Sequence, residues 1–137
     1  MKTFKMTDKL RQIEAGVALL LASFAATAAV PAIDVSNDAG LRAALGKLEP
    51  GATVRIAPGK YRGGVSLRSV SGTENARIVI RAADPKRRPV FEGGTTAVHL
   101  SGCSFVTLSD LVARGFPGNG VNVDDGGSVD AQARGVR

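Results

Sequence analysis

Apolar side chains follow two rhythms along this chain, and the change from one to the other divides it. Over residues 38–48, Leu41, Ala44, Leu45 and Leu48 recur at helical spacing and form one apolar stripe, which predicts a helix. Ser36, Asn37 or Asp38 can cap its start, because a short polar side chain accepts from free backbone N–H groups. Pro50-Gly51 stops it, and Gly46 weakens it, so packing must help hold it. From Thr53 onward the rhythm becomes short alternation. Val54 and Ile56, Val65 and Leu67, Ile78, Ile80 and Ala82, Val98 and Leu100, Val106 and Leu108, and Val121 and Val123 each share a face. Pro58-Gly59, Gly63-Gly64, Ser71-Gly72, Gly93-Gly94, Gly102 and Pro117-Gly118 punctuate them, since Gly reaches positive φ and Pro presets φ.

The apolar positions also repeat at long range. Ile56, Ile78, Leu100 and Val123 are 22, 22 and 23 residues apart, and Leu67, Val90 and Val112 are 23 and 22 apart. A period of this length built from short strands is the signature of a solenoid, in which successive turns stack and equivalent side chains form internal ladders. The expectation is that Ile56, Ile78, Leu100 and Val123 form one such ladder, and Ile78 and Leu100 in different layers would count against the solenoid and any family likeness drawn from it. A helix laid across the first turn would shield its open end. The rival architecture is an antiparallel sandwich, which also has short strands and frequent turns.

The first 28 residues read differently. Lys2, Lys5, Lys9 and Arg11 precede an uncharged run over 15–33, and Ala26-Thr27-Ala28 gives a small-x-small cleavage pattern. These are the parts of a secretory signal, expected to be cut after Ala28 and to leave residues 29–137 exported, periplasmic or extracellular. The competing reading is an uncleaved anchor, because the run of 19 residues can just span a bilayer. Its Ala content favours cleavage and no stable membrane association afterwards.

Composition narrows the chemistry. The 137 residues suit one domain, and 44% hydrophobic against 22% charged content excludes a disordered chain. One Cys excludes an internal disulfide, and one His excludes a multi-His metal site. With 18 Lys+Arg against 12 Asp+Glu the net charge is +6, falling to +4 once the leader is removed. That mild excess is compatible with acidic polysaccharide. Aromatic content of 4%, with no Trp, argues against stacking platforms and against nucleic acid as a partner.

Several stretches resemble the right-handed parallel β-helix proteins of the pectate lyase superfamily, and within it the N-terminal part of the chondroitinase B and alginate lyase family. They are the helix around Leu41-Arg42-Ala43-Ala44-Leu45, the turn and strand Pro50-Gly51-Ala52-Thr53-Val54-Arg55-Ile56, and Pro58-Gly59-Lys60-Tyr61. Ser71-Gly72-Thr73 before Ile78-Val79-Ile80-Arg81-Ala82, then Pro89-Val90-Phe91-Glu92-Gly93, Leu100-Ser101-Gly102 and Val106-Thr107-Leu108 continue it. Ala52 and Arg77 depart from the family's usual Asp and Pro. The resemblance implies an all-β right-handed parallel β-helix of about four rungs over 53–125 with an N-terminal capping helix. It also implies that the family's catalytic centre lies in later rungs, so no catalytic residue transfers, and that this chain is an N-terminal portion with further C-terminal rungs missing.

Uronide lyases need a cation to spread carbanion charge and a base of tuned pKa. Asn119, Asn122, Asp124 and Asp125 form one oxygen-rich cluster, and hard Ca²⁺ prefers such ligands. Asn122, Asp124 and Asp125 are therefore the metal candidates, although a polar turn uses the same residues and is the commoner outcome. Arg77, Arg81, Lys86, Arg87 and Arg88 form a basic cluster; Arg81, Lys86, Arg87 and Arg88 are the candidate contacts to acidic polysaccharide, against the plainer reading of a solvated loop. Alternation turns His99 outward as a surface His or, less readily, a base. Tyr61 is expected beside the first rung with its hydroxyl at the surface, and Cys103 as a small buried filler at a corner. Three functions fit: part of an exported polysaccharide lyase-like protein, a non-catalytic glycan-binding module, or a structural or adhesive module.

Overall fold

Short alternating runs become strands that pair only in parallel. The computed structural model describes residues 30–127 and 133–137; the leader and its cleavage site lie outside them. The elements are β1 (Ile33–Val35), α1 (Asp38–Leu45), β2 (Thr53–Ile56), β3 (Lys60–Arg62), β4 (Val65–Arg68), β5 (Ile78–Ala82), β6 (Val90–Glu92), β7 (Val98–Ser101), β8 (Val106–Ser109), β9 (Val112–Arg114) and β10 (Val121–Asp124). They form three sheets, ordered β1-β2-β5-β8, β3-β6-β9 and β4-β7-β10. From β2 onward the chain visits the three sheets in fixed rotation, and from β5 onward each strand pairs in parallel with the strand of the turn before. Among the described residues the fold is thus mostly β and all-parallel, with one short helix, and an antiparallel sandwich is excluded.

The expected ladder does not form. Ile56 lies opposite Val35 and Ala82, and Ile78 lies opposite Val106, all in the first sheet. Leu100 stands in a different sheet, between Leu67 and Val123. The actual ladders are Val54–Ile80–Leu108, Tyr61–Phe91–Ala113, Val65–Val98–Val121 and Leu67–Leu100–Val123. Unequal corners are the reason. The link from the third sheet back to the first runs over 69–77 in one turn and 102–105 in the next, so the repeat is not constant. Only the steps from Leu100 to Val123 and from Val90 to Val112 in the two sequence series are true ladder steps. The parallel architecture rests on the pairings themselves, not on the spacing first read as a ladder.

Inward positions are sealed: Val54, Ile56, Val65, Ile78, Ile80, Leu100 and Val106 are completely buried. Each contributes about 1.5–3 kcal/mol relative to exposure. Tyr61 joins them. Its ring packs 5.4 Å from that of Phe91, centroid to centroid, and its hydroxyl donates to the Ala57 carbonyl at 2.9 Å. The ring is therefore core, and the hydroxyl is not at the surface. Burial pushes the phenol pKa up, assisted by the nearby Asp38 charge. Cys103 is fully buried, donating its thiol to the Ser101 carbonyl.

Asn37 caps α1, its side chain accepting from Gly40 N at 2.7 Å. The helix ends at Leu45, short of Leu48, with Gly46 as its C-cap. Leu41 and Ala44 are buried, and α1 packs on β1 and β4. Asp38 Oδ1 accepts from the Arg62 amide at 2.9 Å, tying the helix start to the end of β3. At the other end, 133–137 begins to extend the first sheet: Leu108 N donates to Arg137 O, and Arg137 N to Val106 O. β9 and β10 carry no further strand among the described residues. Val121 and Val123 are exposed there, and a cleft of about 220 Å³ opens onto Phe91, Ala97, Leu108, Leu111 and Val112.

Turn crowding gives a sharp test. A Cβ on Gly64 would sit 2.0 Å from the Ala97 carbonyl oxygen, whereas a Cβ on Gly63 (φ +84°) would meet nothing within 4 Å. Gly64→Ala is expected to abolish folding or cost more than about 3 kcal/mol, and Gly63→Ala about 1–2 kcal/mol from backbone strain alone, both read by urea denaturation. The Cys103 thiol should react with an aromatic disulfide reagent only on unfolding.

Candidate functional site

Parallel register turns outward residues into rows on each sheet. On the third sheet two rows run side by side, Ser66–His99–Asn122 and Arg68–Ser101–Asp124. His99 Nε2 lies 2.8 Å from Asp124 Oδ2, a diagonal contact between β7 and β10. Asn122 Nδ2 donates to the same oxygen at 3.2 Å, and the Gly126 amide donates to Oδ1 at 2.9 Å. The His99 contact first, then Ser101 and the Gly126 amide, hold the Asp124 carboxyl down at about 2. The sequence turned His99 outward correctly, but the ring is engaged with a carboxylate and half-buried rather than freely solvated. That pair was not legible, because residues 99 and 124 meet only once the register of β7 and β10 is known.

The metal candidates divide. Asn122 and Asp124 share one outward face, while Asp125 lies in the following turn and accepts from the Gly127 amide at 2.9 Å. Asp124 offers an oxygen-rich centre, but N–H groups already surround both of its oxygens. Among the described residues no group of three or more His, Cys, Asp or Glu side chains converges.

The basic candidates also separate. Arg81 faces outward on the first sheet, between its register partners Arg55 and Ser109. Arg55 forms a two-pronged pair with Asp34, which lowers the carboxyl pKa and raises that of the guanidinium. Lys86, Arg87 and Arg88 occupy the loop between β5 and β6, all exposed. Asp84 binds the Arg87 side chain at 2.8 Å and the Lys86 amide at 2.9 Å, and these contacts hold its carboxyl below the usual range. Arg77 sits before β5 and is committed elsewhere: it donates to Thr107 Oγ1, Val106 O and Gly135 O, with its guanidinium carbon 5.9 Å from the Phe105 ring centroid.

A cleft of about 500 Å³ lies between α1 and the β3–β4 corner, lined by Asp38, Leu41, Arg42, Leu45, Arg62, Gly63, Gly64 and Ser66. Sequence reading did not find it, since 38–46 and 62–66 come together only through the docking of the helix. Among the described residues no helix is long and apolar enough to cross a membrane. No protein-family model matches the chain, and no curated protein or solved structure matches it.

The lowered Asp124 pKa has a sign that can be checked. Its folded value lies below the ordinary 3.8, so its contribution is complete above that value and is lost as pH falls towards about 2. Carboxyl-carbon NMR should show Asp124 titrating near the lower figure. The drop in urea midpoint between pH 4 and 2 (about two units spanning that window) should be smaller in Asp124→Asn than in the parent.

Proposed function

We propose that this chain is the capped N-terminal portion of a right-handed parallel β-helix of about four turns, in an exported protein of the polysaccharide lyase kind. Its role is to bind acidic polysaccharide along the outer surface, while catalysis belongs to residues other than those described. The observation that carries this reading is the chain's rotation through three parallel sheets, with α1 packed at one end and an apolar edge open at the other. Three passes through the sheets, preceded by β1 and α1, support that count.

Strands about 4.8 Å apart present outward side chains as regular rows, which suits a polymer carrying repeated charge. Arg81, Lys86 and Arg88 have no ion-pair partner among the described residues, so their charge is available to a polyanion. Exposed pairs such as Arg87–Asp84 contribute little to stability, so replacing these cations should leave the fold intact. Export rests on the leader-like residues 1–28. Bound Ca²⁺ at Asn122, Asp124 and Asp125 forms no part of this reading, because Asp124 is already satisfied by N–H donors.

A structural or adhesive module is the second reading, favoured by the exposed Val121 and Val123 at the open edge. Retention on immobilised alginate, pectate and chondroitin sulfate separates the two. The chain should be held on at least one of these, be released by salt, and pass through a neutral glucan column. It should generate no ultraviolet-absorbing unsaturated uronide. Passage through all three acidic columns at low salt would contradict the binding role and leave the structural one.

A further inference from the structure

We propose that the cleft between α1 and the β3–β4 corner is a subsite for one carboxylate-bearing sugar unit, held by Arg42 and Arg62. This rests on the acidic-polysaccharide reading above, and it moves the principal contact away from Arg81 and the loop carrying Lys86, Arg87 and Arg88.

The two walls of the cleft come from different elements, and each contributes one arginine: Arg42 from α1 and Arg62 from the end of β3. Both side chains are exposed, and neither has an ion-pair partner among the described residues. A guanidinium presents a planar fork matched to a carboxylate, and two from opposite sides fix its orientation as well as its charge. The one acid in the lining is Asp38, whose Oδ1 already accepts from the Arg62 amide. The balance of the lining therefore stays positive. The partly exposed Leu45 supplies aliphatic surface for the apolar face of a sugar ring.

Bare backbone completes the cleft. Gly63 has open space where a Cβ would stand. A second cleft of about 430 Å³, lined by Arg62, Gly63, Glu92, Gly93 and Gly94, shares Arg62 and Gly63 with the first. The two clefts therefore adjoin at the corner between one turn and the next. Glu92 would oppose an anion there, but its carboxylate is paired with Lys60 at 3.0 Å. Arg114 lies one strand further along the same row. Neither cleft is lined by Arg81, Lys86, Arg87 or Arg88.

Calorimetry with trigalacturonate as probe tests this, with maltotriose and inorganic phosphate as controls. The chain should bind trigalacturonate, ignore maltotriose, and lose about tenfold or more in affinity in Arg42→Gln and in Arg62→Gln. Arg134→Gln, at an exposed cation that lines neither cleft, should change affinity less than about twofold. Unchanged urea midpoints would confirm that the variants fold. Loss of binding in Arg81→Gln or Arg88→Gln but not in the cleft variants would overturn the subsite and leave glycan binding standing. Retention on acidic columns without trigalacturonate binding would do the same. Phosphate displacing the sugar at equal concentration would overturn the assignment to a sugar unit. Absence of both polymer retention and trigalacturonate binding would remove this proposal together with the reading beneath it.

Discussion

Parallel pairing between strands of successive turns is the constraint on which the rest of this structure depends. A strand such as β7 has its backbone groups met on one side by β4 and on the other by β10, each contributed by a neighbouring turn. Inward side chains must then stack on their counterparts, Leu67 on Leu100 on Val123, whatever lengths of chain lie between. The first turn cannot meet that demand with strands alone. β1 extends the first sheet, and α1 covers the neighbouring edge at β4, with Leu41 and Ala44 buried beneath it. At the opposite end the first sheet is continued by 133–137, while Val121 and Val123 face solvent.

The same register that buries one set of side chains displays the other. Outward residues fall into rows, and side chains distant in sequence are brought together: His99 meets Asp124 across β7 and β10, and Arg42 and Arg62 line one cleft between α1 and β3. Magnitudes keep the two sets independent. An exposed ion pair contributes about 0–1 kcal/mol, whereas each sealed aliphatic contributes about 1.5–3 kcal/mol. The outer rows can therefore change their partners without endangering the coil. The corner at Gly63 and Gly64 is the exception, because the second glycine is fixed by its approach to the Ala97 carbonyl.

Much of the architecture was legible in residue order, but its register was not. Alternation at Val54, Ile56, Ile78, Ile80, Val98 and Leu100 identified real strands and their buried faces. The helix was legible from its stripe and from Asn37. β1 and β3 were missed because each has three residues, too few to show alternation, and β3 offers a single apolar position, Tyr61. The supposed ladder through Ile56, Ile78, Leu100 and Val123 failed because corner lengths vary from turn to turn, so equal spacing along the chain does not mean equal position in the coil. Both of these juxtapositions depend on that register or on helix docking. The pairing of His99 and the arginine-lined cleft were hidden for the same reason, whereas the basic loop at 86–88 was visible because it is contiguous.

Interproton contacts measured by NMR on uniformly labelled protein test the central claim most directly. Parallel turns in the register described require methyl contacts from Val54 to Ile80 and from Leu67 to Leu100, and backbone cross-strand contacts that set Ile78 beside Val106 and Leu100 beside Leu67. Strong Hα–Hα contacts between neighbouring strands, which only antiparallel pairs bring close, or backbone contacts pairing the strand of Ile78 with that of Leu100, would contradict it.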